Sequence, residues 1–118
     1  MAVVGYTIVA EGKNYQVVQW ANLDYQDTGA PFIAPNYSEK SVQVKGTFST
    51  GGECTIQGSN DPSTPTYATL ADPQGNALTI SAAGIETILE NVYQIRPNIT
   101  GGDGSTDLTV VMLVSTVR

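Results

Sequence analysis

Apolar and polar residues alternate through Lys40 to Asn60. Val42, Val44, Gly46 and Phe48 interleave with Gln43, Lys45 and Thr47. Beyond Ser49-Thr50-Gly51-Gly52, Cys54 and Ile56 interleave with Thr55 and Gln57. A period of two sends one set of side chains into a core and the other into water. Gly51-Gly52 supplies the positive φ that a tight connection needs, so the stretch predicts a β-hairpin. Gly46, Gly51, Gly52 and Gly58 would interrupt any helix drawn through it.

The same reading extends outward. Residues Met1 to Gly12 predict a weak first strand, with Tyr6 and Ile8 set against Thr7 and Val9, and Tyr15 to Ala21 a firmer one. Trp20, the single tryptophan, is a core or interface anchor. Residues 22–38, with Gly29, Pro31 and Pro35, read as a long loop, either a functional arm or an Ω-like loop. Its Leu23, Tyr25, Phe32, Ile33 and Tyr37 argue against disorder and for packing on its own domain or on a neighbour. Turn clusters at Gly58–Pro62 and Asp72–Asn76 bracket a short strand at Tyr67–Leu70. Ala77–Ala82 is a further strand, and Ile85–Asn91 fits one helical turn or a bulged strand, the strand being favoured by its surroundings. Val92–Thr100 alternates cleanly, with Pro97 placing it at a sheet edge or a bulge. Gly101–Thr106 reads as a glycine-rich hairpin loop. Asp107–Val117 is apolar on both faces around Val110–Val114, as a central or an interface strand would be. Roughly eight short strands with turns every eight to twelve residues predict an all-β, jelly-roll-like antiparallel β-sandwich. Nothing divides residues 1–118, so a single domain is expected.

Composition narrows the function. The net charge is −6, and the five basic residues, Lys13, Lys40, Lys45, Arg96 and Arg118, are scattered. A phosphate-tracking face needs them clustered, so neither nucleic acid nor an anionic membrane is an expected partner. Cys54 is the lone cysteine, which fits a small core residue in a chain folded in a reducing cytoplasm. The opening MAVVGYTIVAEGK has no basic lead and no long apolar run, so no secretion signal is expected, and the sequons at Asn36 and Asn98 carry no weight.

Candidate chemistry is sparse. With no histidine, the Ser-His and Cys-His nucleophile pairs and the commonest metal ligand are excluded. Cys54 has no CxxC partner for zinc. No two carboxylates are spaced as an acid–base pair. Gly101-Gly102-Asp103-Gly104 leads into a strand rather than a helix N-terminus, and Asp103 and Asp107 lack a calcium-loop ligand ladder. The expectation is a protein that is not an enzyme, with no catalytic residues, cofactor or metal. Trp20, Tyr25, Phe32 and Tyr37 suit either a sugar-binding surface or core and subunit contacts, the latter favoured.

Several runs together are more specific. Asp27-Thr28-Gly29-Ala30-Pro31, Lys40–Val44 with Gly46-Thr47-Phe48, and Ile56-Gln57-Gly58-Ser59-Asn60-Asp61 form one set. Asp72–Leu78, Ile95-Arg96-Pro97 and Thr100–Val110 continue it. In order and spacing, from about Gln16 to the end, the chain resembles small structural proteins of tailed-bacteriophage virions, the capsid decoration (cement, head-stabilisation) family. It departs in having Pro62 where a glycine is common and Tyr67 where a tryptophan is common, which implies a reshaped turn. The resemblance implies a jelly-roll-like cement protein on the outer capsid surface, made in the host bacterial cytoplasm, that bridges major capsid protein subunits. It implies a homo-oligomer, a dimer or trimer, whose weak contacts add by multivalency. Leu23, Tyr25, Phe32, Ile33 and Tyr37 are the candidate capsid or subunit contacts, and Val110–Val114 a candidate for self-association or core. The alternative is a carbohydrate-binding or adhesin module on the virion head or tail.

Overall fold

The computed structural model describes residues 2–116; the expected first and last strand ends at Met1 and Val117 lie outside the described residues. Among the described residues there are no helices, and Ile85–Asn91 contributes a strand rather than a helical turn. Twelve strands form in place of the eight expected. They are β1 (Val3–Val4), β2 (Thr7–Glu11), β3 (Tyr15–Asp24), β4 (Thr28–Gly29), β5 (Phe32–Ile33) and β6 (Glu39–Thr47), followed by β7 (Glu53–Ser59), β8 (Ala68–Thr69), β9 (Thr79–Ile80), β10 (Gly84–Ile88), β11 (Gln94–Gly101) and β12 (Asp107–Ser115).

Two sheets stack over one core. The first runs β1-β4-β11-β7-β8, with β5 also on β11 and β9 also on β7; the second runs β10-β6-β12-β3-β2. All pairings are antiparallel except β1 with β4. The alternation along each long strand sets the inner face. Val18 and Trp20, Val42 and Val44, and Val110, Met112 and Val114 enter the core from the second sheet. Cys54, Ile56, Ile95 and Ile99 enter it from the first.

Lys40–Asn60 is not a hairpin: β6 pairs with β10 and β12, whereas β7 pairs with β11, β8 and β9. The glycine-containing turn therefore carries the chain from one layer to the other, and Gly101–Thr106 does the same between β11 and β12. Alternation identifies a buried face but not the neighbour across the ladder, because strands of either sheet turn their apolar side to the same core. The expected first strand is likewise split, β1 in one sheet and β2 in the other.

The expected 22–38 loop is instead structured: β3 continues to Asp24, and β4 and β5 tie the segment to β11. Asp27 anchors the turn between layers, its carboxylate accepting the amides of Ala2 (3.1 Å) and Asp24 (2.9 Å). Strand β11 is interior, not an edge, despite Pro97; the alternative, a bulge, is met nearby, where the ladder to β7 shifts register between Ile99 and Gly101. Its tolerance is local. Ile99 donates its amide to Asp27 O (2.9 Å), so the nitrogen of Pro97, two residues earlier, faces the same side. That side is the gap between β4 and β5, where no ladder pair is formed to Pro97. The Ala30 carbonyl in the gap takes the Trp20 indole N–H instead, at 2.9 Å.

Candidate functional site

The expected contact residues separate into two groups. Leu23 and Phe32 are buried in the core, and Tyr37 is half-buried against it. Phe32 packs edge-on to Tyr6 at 5.4 Å, Tyr6 edge-on to Trp20 at 5.7 Å, and Tyr37 lies tilted on Phe32 at 6.0 Å. This internal aromatic cluster removes Trp20 and Phe32 from any sugar-stacking platform, and burial corrects Leu23 and Phe32 as docking residues. Tyr25 and Ile33 are exposed, but on different elements: Tyr25 in the turn after β3, Ile33 on the solvent side of β5 opposite Gln94. The five residues do not form one surface.

Leu23 turns inward because Asn22 has φ 58°. After Val18 and Trp20, strict alternation would bury position 22. The left-handed residue, which asparagine tolerates, shifts the parity by one. An asparagine ahead of a leucine inside a strand was the available signal.

The two solvent faces of the sandwich differ in chemistry. On the first sheet the outward side chains satisfy one another. The Arg96 guanidinium lies 3.7 Å from the Tyr67 ring centroid and donates to Gln57 Oε1 at 2.9 Å. The Tyr67 hydroxyl donates to Gln94 Oε1 (2.9 Å), and Gln94 Nε2 donates to Asp61 O (3.0 Å). Thr28 donates to Asn98 Oδ1 at 2.9 Å. The loop carrying Asp61 and Tyr67 thus closes over this face.

The second sheet's outer face is bare. One cross-strand row runs Thr7, Gln19, Val111, Gln43, Ile85; the next runs Ala10, Val17, Leu113, Ser41, Thr87. Neither row holds a charge. Ile85 is 63% exposed and Leu113 44%. Val17, Ser41, Gln43, Ile85, Val111 and Leu113 line a shallow groove of about 250 Å³. It borders a second hollow of about 360 Å³ toward Pro73 and Leu89. The apolar Val110–Val114 run is thus both central and surface-facing: Val110, Met112 and Val114 fill the core, and Val111 and Leu113 face out. Loss of such apolar area to water is what a docking partner reverses.

Titratable groups serve the fold. Burial pushes the Cys54 thiol up to about 12, against an ordinary 9.0. The thiol raised in the folded state contributes stability that is complete below pH 9.0 and is lost as pH climbs toward 12. Native protein at pH 8 should leave Cys54 unreacted with an aromatic disulfide reagent, and denaturant should release one full equivalent; rapid labelling of folded protein would contradict the burial. Burial lowers the Lys40 ammonium, with Glu90 opposing the shift; its Nζ donates to Asn91 Oδ1 (2.7 Å) and Tyr37 O (3.3 Å). Backbone amides hold Asp61, Asp72 and Asp103 below the ordinary carboxylate range in their turns. Among the described residues no three His, Cys, Asp or Glu side chains converge to hold a metal ion.

Two packed, mainly antiparallel sheets define a jelly-roll-like β-sandwich, as the strand pattern predicts. No family model matches the chain, and no curated protein matches it in sequence. Solved structures do share the fold. The SPBc2 prophage-derived protein YomS superposes with a TM-score of 0.63 at 12% identity, over 91% of this chain and 99% of that one. A cupin superfamily protein of Desulfitobacterium hafniense gives 0.51 at 11% identity, over 95% and 76%. An RmlC-like cupin of Desulfovibrio desulfuricans gives 0.50 at 10%, over 93% and 79%.

Proposed function

We propose that this chain is a non-enzymatic structural protein of a phage particle, a decoration or cement subunit that binds the outside of the head and bridges major capsid protein subunits. The observation that carries the reading is the bare outer face of the second sheet, whose two central rows hold no charge, in contrast to the closed polar face of the first. A sandwich that leaves Val17, Ile85, Val111 and Leu113 together on an uncovered sheet face is suited to assembly with other protein. Its fold is shared with a prophage-derived protein, and its exposed Tyr25 and Ile33 remain available as head contacts. Several copies engaging neighbouring sites at once turn weak contacts into stable attachment.

Heads prepared without the protein test this. Added protein should co-sediment with them and raise the temperature at which they rupture. Absence of co-sedimentation, with no change in rupture temperature, would overturn the reading.

A further inference from the structure

We infer that the bare face of the second sheet pairs two copies of this chain, through a two-fold axis that lies in the interface and crosses the strands. The pairing takes up the face on which the proposed function rests, so that head contact falls to surfaces such as the exposed Tyr25 and Ile33.

Charge points to a second copy as the occupant. The chain carries −6, so identical copies repel wherever acidic surfaces meet. The two central rows are free of charge, so this is a face on which like-charged copies can close. A strongly basic partner would find no carboxylate in those two rows to engage.

Register points to the symmetry. Glu39 and Lys45 are both exposed and stand at opposite ends of β6, on the same outward side as Ser41 and Gln43. Their midpoint is Val42, in the cross-strand row Val18, Met112, Val42, Glu86. A two-fold through that row reverses strand direction and lays β6 over β6 of the second copy. Lys45 then meets Glu39 across the interface, twice. Each pair lies roughly 10 Å from the axis at the usual strand rise. That is within reach of both side chains when sheets pack about 10 Å apart, even tilted by about 30°. The same operation sets Val111 over Leu113 on β12, apolar on apolar, and Gln43 over Ser41 on β6, polar on polar. An axis along the strands would lay β6 over β3 and leave Lys45 without its carboxylate.

Sedimentation velocity of the full chain over a concentration series reads the outcome. The wild type should sediment as a dimer. Leu113→Asp should weaken pairing at least about a hundredfold, since two carboxylates would be enclosed near the axis. Its thermal melt should hold, because Leu113 already faces water; Ile85→Asp, at a more exposed site, is the second such variant. Lys45→Glu should weaken pairing about tenfold, and adding Glu39→Lys should restore it to within about threefold of wild type. A wild type that stays monomeric to roughly millimolar concentration, a trimer, or a dimer indifferent to both aspartates overturns the inference. Failure of the double charge swap overturns the antiparallel arrangement. If a monomeric wild type binds heads and Leu113→Asp does not, the face belongs to the capsid and the pairing is wrong. If a dimer forms that ignores heads, the cement reading fails and the pairing survives.

Discussion

Replacing Trp20 by alanine is expected to destabilise the fold by about 3–5 kcal/mol, the range for truncating a buried aromatic. Trp20 is 1% exposed and holds three features together. Its ring meets Tyr6 edge-on at 5.7 Å, the start of the aromatic chain that continues to Phe32 and Tyr37. Its N–H satisfies the Ala30 carbonyl between β4 and β5. It also walls the space that Gly29 leaves open: a Cβ there would stand 2.7 Å from Trp20 Cδ1 and 2.6 Å from Pro97 Cγ. Domains of this size are held by only about 5–15 kcal/mol. The melting temperature should fall by roughly 10–20 °C. Trp20→Phe separates volume from hydrogen bonding, since it keeps a ring and loses the donor; about 1–3 kcal/mol is expected for the orphaned carbonyl. Equal losses in the two variants would mean that packing contributes little at this position, contrary to the geometry.

Much of the fold was legible, and the reason is the period of two. Val42 and Val44, Cys54 and Ile56, and Ile95 and Ile99 fall inward as their alternation requires. What alternation does not carry is partnership across the ladder. Phe48 to Gly52 looks like a hairpin turn from its glycines, yet the same glycines serve equally where a chain leaves one sheet for the other. Gly46, at φ 121°, begins that departure while still paired to Leu108, and a Cβ there would collide with the Asp107 carbonyl. Strands of two residues, such as β4, β5, β8 and β9, are too short to show any period, so residues 22–38 read as a loop. The candidate site was half visible. The doubly apolar Val110–Val114 run marked the face, but Val17 and Ile85 join it only through pairing in space. The aromatic content of the 22–38 segment pointed instead to an arm, because composition does not distinguish a residue that packs under a sheet from one that stands on it.

Leu23 and Tyr25 make that distinction measurable. Leu23 is fully buried, opposite Leu108 on β12, which is fully buried too. Leu23→Ala should cost about 2–5 kcal/mol through lost burial and the cavity left behind. The urea midpoint should drop with little change in slope, since the surface exposed on unfolding barely alters. Tyr25, 41% exposed in its turn, should change stability by no more than about 0.5 kcal/mol when cut to alanine. The order reverses for attachment. At a temperature where both variants are folded, Leu23→Ala should bind heads as the wild type does, because its side chain touches no solvent. Tyr25→Ala should bind more weakly if the turn after β3 meets the capsid. A Leu23→Ala protein as stable as the wild type would mean that the parity shift at Asn22 does not occur in solution. Leu23 would then face outward, as strict alternation from Trp20 would have it.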